Sequence, residues 1–259
     1  MPLLDLIDCK TVPALYTGDK NKDSIDNTKL YLELYKKGCH NSFVPVLVDK
    51  DIEHYIWTER FGLEDTKENY PKVTKKLIDL VNENCSEVWI GRIIYNYYLD
   101  GNQYEDDVKY DLKMLTPPAT KEYESLFVKS FEMKPLLFGE DGYGYRSYKF
   151  TYENAVFVLI PTSLPWEVMA WIPMGGFAWC PDAVCQIAMA KYLYEEFGAI
   201  PMYVSASNIE YYVPKPLTSR EAIEKAARIS IAADIDVYED YEVAVRKLAG
   251  TSNWIFWWD

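Results

Sequence analysis

The chain closes on Trp254-Ile255-Phe256-Trp257-Trp258-Asp259, and this run constrains the fold more than any other stretch. Its aromatic and β-branched content predicts a strand. Successive side chains of a strand alternate, so Trp254, Phe256 and Trp258 share one face and Ile255 and Trp257 the other. A strand apolar on both faces belongs to a sheet covered on both sides. The expected class is α/β, with α+β as its variant: a mixed β-sheet covered by helices on both faces, with the C-terminal strand internal to the sheet. Asp259 then puts a carboxylate at one sheet end, which must meet water or a cation because a buried charge needs a partner.

The bulk numbers agree with a folded chain. Of 259 residues, 49% are hydrophobic and 26% charged, which supports a sizeable core and excludes general disorder. The net charge of −13 and pI near 4.7 argue against nucleic acid and anionic membranes as partners, because both are polyanionic. The longest charge-free run, 168–181, holds two prolines and two glycines and does not read as a spanning helix. The N-terminus shows no secretory signal pattern. Five cysteines without a CxxC pair read as free thiols, and the expected location is cytoplasmic.

Two regions are expected. Residues 1–150 form a divergent N-terminal α/β region that could pack on the same sheet, and 151–259 a less charged C-terminal α/β domain. In the first, a helix is predicted over Asp26–Lys37, stopped by Gly38. A short strand is predicted over Phe43–Val48, with Pro45 at an edge or a strand start. A second helix is expected from Lys72 to Asn84, an ambiguous stretch from Val88 to Leu99, and a further helix from Thr120 to Phe131. A turn is expected at Asp141–Gly144.

In the second region, strands are predicted at Ala155–Ile160 and, from its alternation, Trp166–Ile172. Pro181 suits the first position of a helix that ends at Gly198. Strands follow at Met202–Ser205 and Ile209–Val213. A capping box at Thr218–Glu221 opens a helix to about Ala233, and a short helix spans Tyr241–Ala249.

Several motifs then combine in order: Pro165-Trp166-Glu167, Gly175-Gly176-Phe177-Ala178-Trp179-Cys180-Pro181, Phe197-Gly198-Ala199, Ile209-Glu210, Pro214-Lys215-Pro216 and the closing Trp254–Asp259. Over about residues 155–259 this series resembles the bacterial domain of unknown function family 4253. The Phe43–Val48 run is similar to a stretch that such proteins carry upstream, while residues 60–145 resemble no family we can name. The resemblance implies a bacterial, cytoplasmic α/β protein and no particular reaction. The chain departs from the family pattern at Ala178, where an Asn is usual, at Leu193, where an aromatic is usual, and at Ala232, where a Cys is usual.

No catalytic residue is assigned, but Cys180, Glu210 and Asp234 are candidates. Cys180, beside Pro181, would sit at or next to a helix N-cap, where amides and dipole favour a thiolate; the competing reading is a buried thiol that fixes the loop. Glu210, Asp234 and Asp259, with Glu167, could act as acid and base or bind a hard cation. They could equally pair with Arg220, Arg228 or Lys215. The binding candidates are Trp166, Glu167, Gly175, Gly176, Trp179, Glu210, Asp234, Trp257, Trp258 and Asp259, a set of aromatic walls with a few polar groups. Gly175-Gly176 lacks a phosphate-loop frame. Two histidines with no metal-ligand spacing argue against zinc, and no cofactor is expected.

The favoured expectation is a non-enzymatic binding protein of immunity or antitoxin-like kind, whose acidity suits a basic protein partner. The alternatives are a hydrolase using Glu210, Asp234 and Asp259 or Cys180, and a sensor holding a small ligand in a tryptophan-lined pocket.

Overall fold

Apolar strand-forming runs from both ends of the chain meet in one sheet. The computed structural model describes residues 3–50, 52, 64, 66–84, 88–91, 93, 115–128, 131–134, 136–138, 152–176 and 180–258. Its strands are β1 (Lys10–Pro13), β2 (Val44–Asp49), β3 (Ala155–Ile160), β4 (Ile200–Val204), β5 (Asn208–Tyr212) and β6 (Asn253–Trp257). They form a six-stranded sheet in the order β1-β3-β2-β4-β5-β6. β2 and β4 pair in parallel and every other neighbouring pair is antiparallel. The sheet is mixed, as expected, and takes β1 and β2 from the N-terminal region.

Helices flank it: α1 (Leu3–Leu6), α2 (Lys20–Asn41), α3 (Tyr70–Asn82), α4 (Lys121–Leu126), α5 (Val168–Trp171), α6 (Ala183–Phe197), α7 (Arg220–Ala233), α8 (Ile235–Tyr238) and α9 (Tyr241–Leu248). On one face Val46, Val158, Ile209, Tyr211, Trp254 and Phe256 join the buried side chains of α3, α5, α6, α7 and α9 in the larger core. On the other, Leu47, Phe157, Met202 and Tyr203 pack under Tyr31 and Leu34 of α2. Residues 183–190 of α6 are all buried, as a helix apolar on every side must be.

Several elements differ from the sequence expectations. Trp166–Ile172 is not a strand: a 3₁₀ turn at Pro165–Glu167 runs into α5. Its alternation misleads because residues 168–170 and 172 are buried whichever way they point. α2 is longer than predicted, from its Asp19 N-cap to a left-handed Ser42. Gly38 lies inside this helix; a Cβ there would stand 2.1 Å from the Phe43 carbonyl oxygen, so glycine permits the close return of the chain into β2. Pro45 is the second residue of β2, paired with Leu159 before β4 joins at Leu47, so its missing N–H breaks no ladder.

Pro181 precedes α6 by two residues, and Asp182 is the N-cap, accepting from the Cys185 N–H at 2.8 Å. Cys180 is therefore not at the cap. Likewise Ser219, not Thr218, caps α7. The ambiguous 88–99 stretch is helical at 88–91. The Thr120–Phe131 helix shortens to α4, with Thr120 as cap. The Asp141–Gly144 turn lies outside the described residues.

The largest correction concerns β6. Among the described strands it stands at the end of the order, not inside it. Trp254 and Phe256 are covered by helices, whereas Ile255 and Trp257 are half-buried. Apolar residues on both faces report covering layers, not two neighbouring strands.

Before α2 the chain makes a pinned loop. The buried Asn27 side chain accepts from the Leu15 N–H at 2.8 Å and donates to the Leu15 and Asp23 carbonyl oxygens at 2.7 and 2.8 Å. The buried Asp23 carboxylate accepts from the Thr17 N–H and hydroxyl at 2.8 and 2.7 Å and from the Gly18 N–H at 3.2 Å. Among the described residues no helix is long and apolar enough to cross a membrane.

Candidate functional site

The turn that leads from α5 to α6 delivers Cys180 to the interior. The Gly176 N–H donates to the carbonyl oxygens of Cys180 at 3.2 Å and Pro181 at 3.1 Å. Gly175 has φ +113°, and a Cβ there would stand 2.0 Å from the Pro181 carbonyl oxygen, so only glycine lets these segments touch. Cys180 is 5% exposed and its Sγ accepts from Gln186 Nε2 at 3.2 Å.

Burial pushes the Cys180 thiol up from 9.0 to about 12. The Gln186 hydrogen bond opposes that shift, the nearby Asp234 carboxylate adds to it, the Gly176 amide opposes it and Asp182 adds to it. A thiol held neutral in this way is a poor nucleophile. Tyr211, on β5, lies edge-on to Phe256 at 5.6 Å. Burial, and secondarily the nearby Cys180, pushes its hydroxyl well above the usual tyrosine range.

Asp234 follows α7. Its Oδ1 accepts from the Val237 N–H at 3.0 Å and its Oδ2 from the Trp257 N–H at 2.6 Å. The direction of that second bond follows from the ladder. The Trp258 N–H bonds to the Ser207 carbonyl, and the Val213 N–H to the Ser252 carbonyl. Even-numbered residues of β6 thus bond to β5, and the Trp257 N–H points away from it. Asp234 satisfies an outward donor of an edge strand.

Glu210 lies across the sheet from Asp234. Its neighbours Ile209 and Tyr211 face the helix layer of α6 and α7, so alternation sends Glu210 to the α2 side. There it is buried opposite Tyr203, and its Oε2 accepts from Asn253 Nδ2 at 3.1 Å. Glu167 accepts from the Thr162 hydroxyl. Glu210 and Asp234 therefore do not converge. Among the described residues no three His, Cys, Asp or Glu side chains form a group able to hold a metal ion.

The tryptophans also divide. Trp166 is buried beneath Lys191, whose Nζ stands 5.8 Å from the ring centroid. Trp258 stacks on Phe256 at 6.1 Å and donates through Nε1 to the Ala233 carbonyl at 2.9 Å. Trp257 is half-buried and packs against the margin of the larger core. Trp179 and Asp259 lie outside the described residues. The structure brings together Gly175, Gly176, Cys180 and Asp234 and keeps Glu210 apart from them.

Three further buried polar side chains were not anticipated. Gln186, Tyr211 and Ser230 are all 0% exposed, and Gln186 Oε1, Tyr211 Oη and Ser230 Oγ have no hydrogen-bond partner among the described residues. Gln186 and Ser230 stand in otherwise apolar helical runs, Val184-Cys185-Gln186-Ile187 and Ile229-Ser230-Ile231. A polar residue on an apolar face was the available signal.

The fold and this centre define a mixed α/β protein with a buried, largely uncharged polar cluster between sheet and helices. Residues 156–259 match the family described as Domain of unknown function (DUF4253). No curated protein and no solved structure matches the chain.

Proposed function

We propose that this is a non-enzymatic, cytoplasmic bacterial protein that binds a basic protein partner. The observation that carries the reading is the employment of the groups best suited to chemistry. Both Asp234 oxygens accept backbone N–H bonds, the Cys180 thiol is buried and protonated, and Glu210 is on the other sheet face. A hydrolase using these groups would need them around one centre. The net charge of −13 favours a cationic surface as the complement.

The test is affinity capture with the full chain from its native cell at low salt. One basic protein should be retained in stoichiometric amount and released as salt rises, since the attraction is screened. Recovery of no such partner, together with turnover of a small substrate by the purified protein, would overturn the reading.

A further inference from the structure

The family match and the sheet do not share a boundary. The matched residues 156–259 hold β4, β5, β6 and nearly all of β3. β4, β5 and β6 are consecutive in the sheet, but β3 pairs with none of them. Both of its neighbours among the described strands, β1 and β2, come from residues 10–49. β2 stands between β3 and β4. Neighbouring strands lie about 4.8 Å apart, so β3 and β4 are separated by roughly twice that distance, too far for backbone bonds between them.

That interval fits one extended strand of definite chemistry. The Lys50 N–H donates to the Asn154 carbonyl oxygen at 2.8 Å, and bonded pairs of an antiparallel ladder recur at every second residue. Even-numbered residues of β2 therefore bond to β3. Odd-numbered residues face β4, which joins at the Leu47–Tyr203 pair. Both covering layers are apolar: Val44, Val46 and Val48 lie in the larger core and Leu47 in the smaller. All four are at most 4% exposed. A charged residue at these positions would be desolvated without compensation. α2 leads directly into β2 and covers Leu47 through Tyr31 and Leu34.

We propose that the interval between β3 and β4 is a strand-binding cleft of the 151–259 region, and that its ligand is the apolar segment Phe43–Asp49 delivered by α2. The two parts of the chain are donor and acceptor of one sheet, and neither is a self-sufficient domain. The donor holds its acceptor through strand pairing and core burial, without need of the peptide link between them.

The test uses the full chain with a protease recognition sequence inserted after Gly144 and cut after folding. The two pieces should co-elute as a one-to-one complex and separate only in denaturant. Val46→Thr is nearly isosteric and buries an added hydroxyl; in the cut protein it should weaken the association about tenfold, read by sedimentation at falling concentration. Native-state hydrogen exchange of the uncut wild type needs neither cut nor variant: as urea rises, the amides of β2, β4 and β5 should open together as one cooperative unit. Pieces that part on cutting in native buffer would overturn the proposal. So would an unchanged association in Val46→Thr, a separated 151–259 piece that keeps native near-ultraviolet dichroism, or β4 and β5 amides still protected at urea concentrations where β2 exchanges.

Discussion

The Asp234 carboxylate accepts the backbone N–H of Trp257 at 2.6 Å, and that N–H points away from β5. One side chain thereby closes the outer end of an edge strand and, through Val237, starts α8. Unsatisfied edge donors invite pairing with other chains. Asp234→Ala should cost about 2–4 kcal/mol, because two buried charge-assisted bonds are lost and their donors left unpaired. Asp234→Asn should cost roughly half as much, since one acceptor survives. Urea unfolding checks both, and a loss below 1 kcal/mol for Asp234→Ala would contradict the role.

The raised thiols make stability fall in alkali. Cys180 and Cys9 are each pushed by burial from 9.0 to about 12, Cys9 with help from Asp8. Between these values the folded chain keeps protons that the unfolded chain releases, so stability is full below about pH 9 and declines toward pH 12. Cys180→Ala should flatten that decline in urea titrations between pH 8.5 and 10 (a window set by the linkage relation). An unchanged slope would contradict it.

The same burial sets the order of thiol labelling. At pH 8 a disulfide reagent should modify the exposed Cys39 at least about 100-fold faster than Cys180 in the native chain. Peptide-resolved mass spectrometry reads this directly. Comparable rates would show that Cys180 is open to solvent.

Gly175→Ala should destabilise by about 3 kcal/mol or more, through positive φ and the contact with the Pro181 carbonyl. The accompanying sign is local: the Cys180 thiol should become labelled faster, because the loop that buries it must shift. A fully stable variant would show that the close approach is not required.

Asn27→Ala should cost about 2–3 kcal/mol and release the loop that Asn27 bonds at Leu15. Hydrogen exchange at the Leu15 amide should quicken at least about tenfold. Exchange unchanged at Leu15 would mean the loop is held by Asp23 alone.

Legibility in the sequence followed the physics of each element. β2, β3, α3, α7 and α9 were readable because their apolar residues repeat at one period and their ends carry caps, prolines or glycines. Periodicity fails where everything is buried, so the alternation over Trp166–Ile172 does not distinguish α5 from a strand. It also fails where a buried face is polar: Asp23 and Asn27 hid the first turns of α2. The edge position of β6 was invisible, because apolar residues on two faces report covering layers and not neighbouring strands. Gly175, Gly176, Cys180 and Asp234 could be picked out singly. Their grouping with Gln186 arises from the way the 175–181 turn folds back onto α6, which no local pattern encodes.

The pairing of β2 with β4 joins Leu47 to Tyr203, and β3 takes both of its neighbours, β1 and β2, from the first fifth of the chain. On the ribosome those early strands emerge long before their partners. At 5–20 residues per second the wait for β3 is roughly five to twenty seconds, during which Val44–Val48 lacks its strand partners. Productive synthesis of this protein therefore depends on protecting a nascent apolar strand, and slowed translation between residues 50 and 155 should lower its soluble yield.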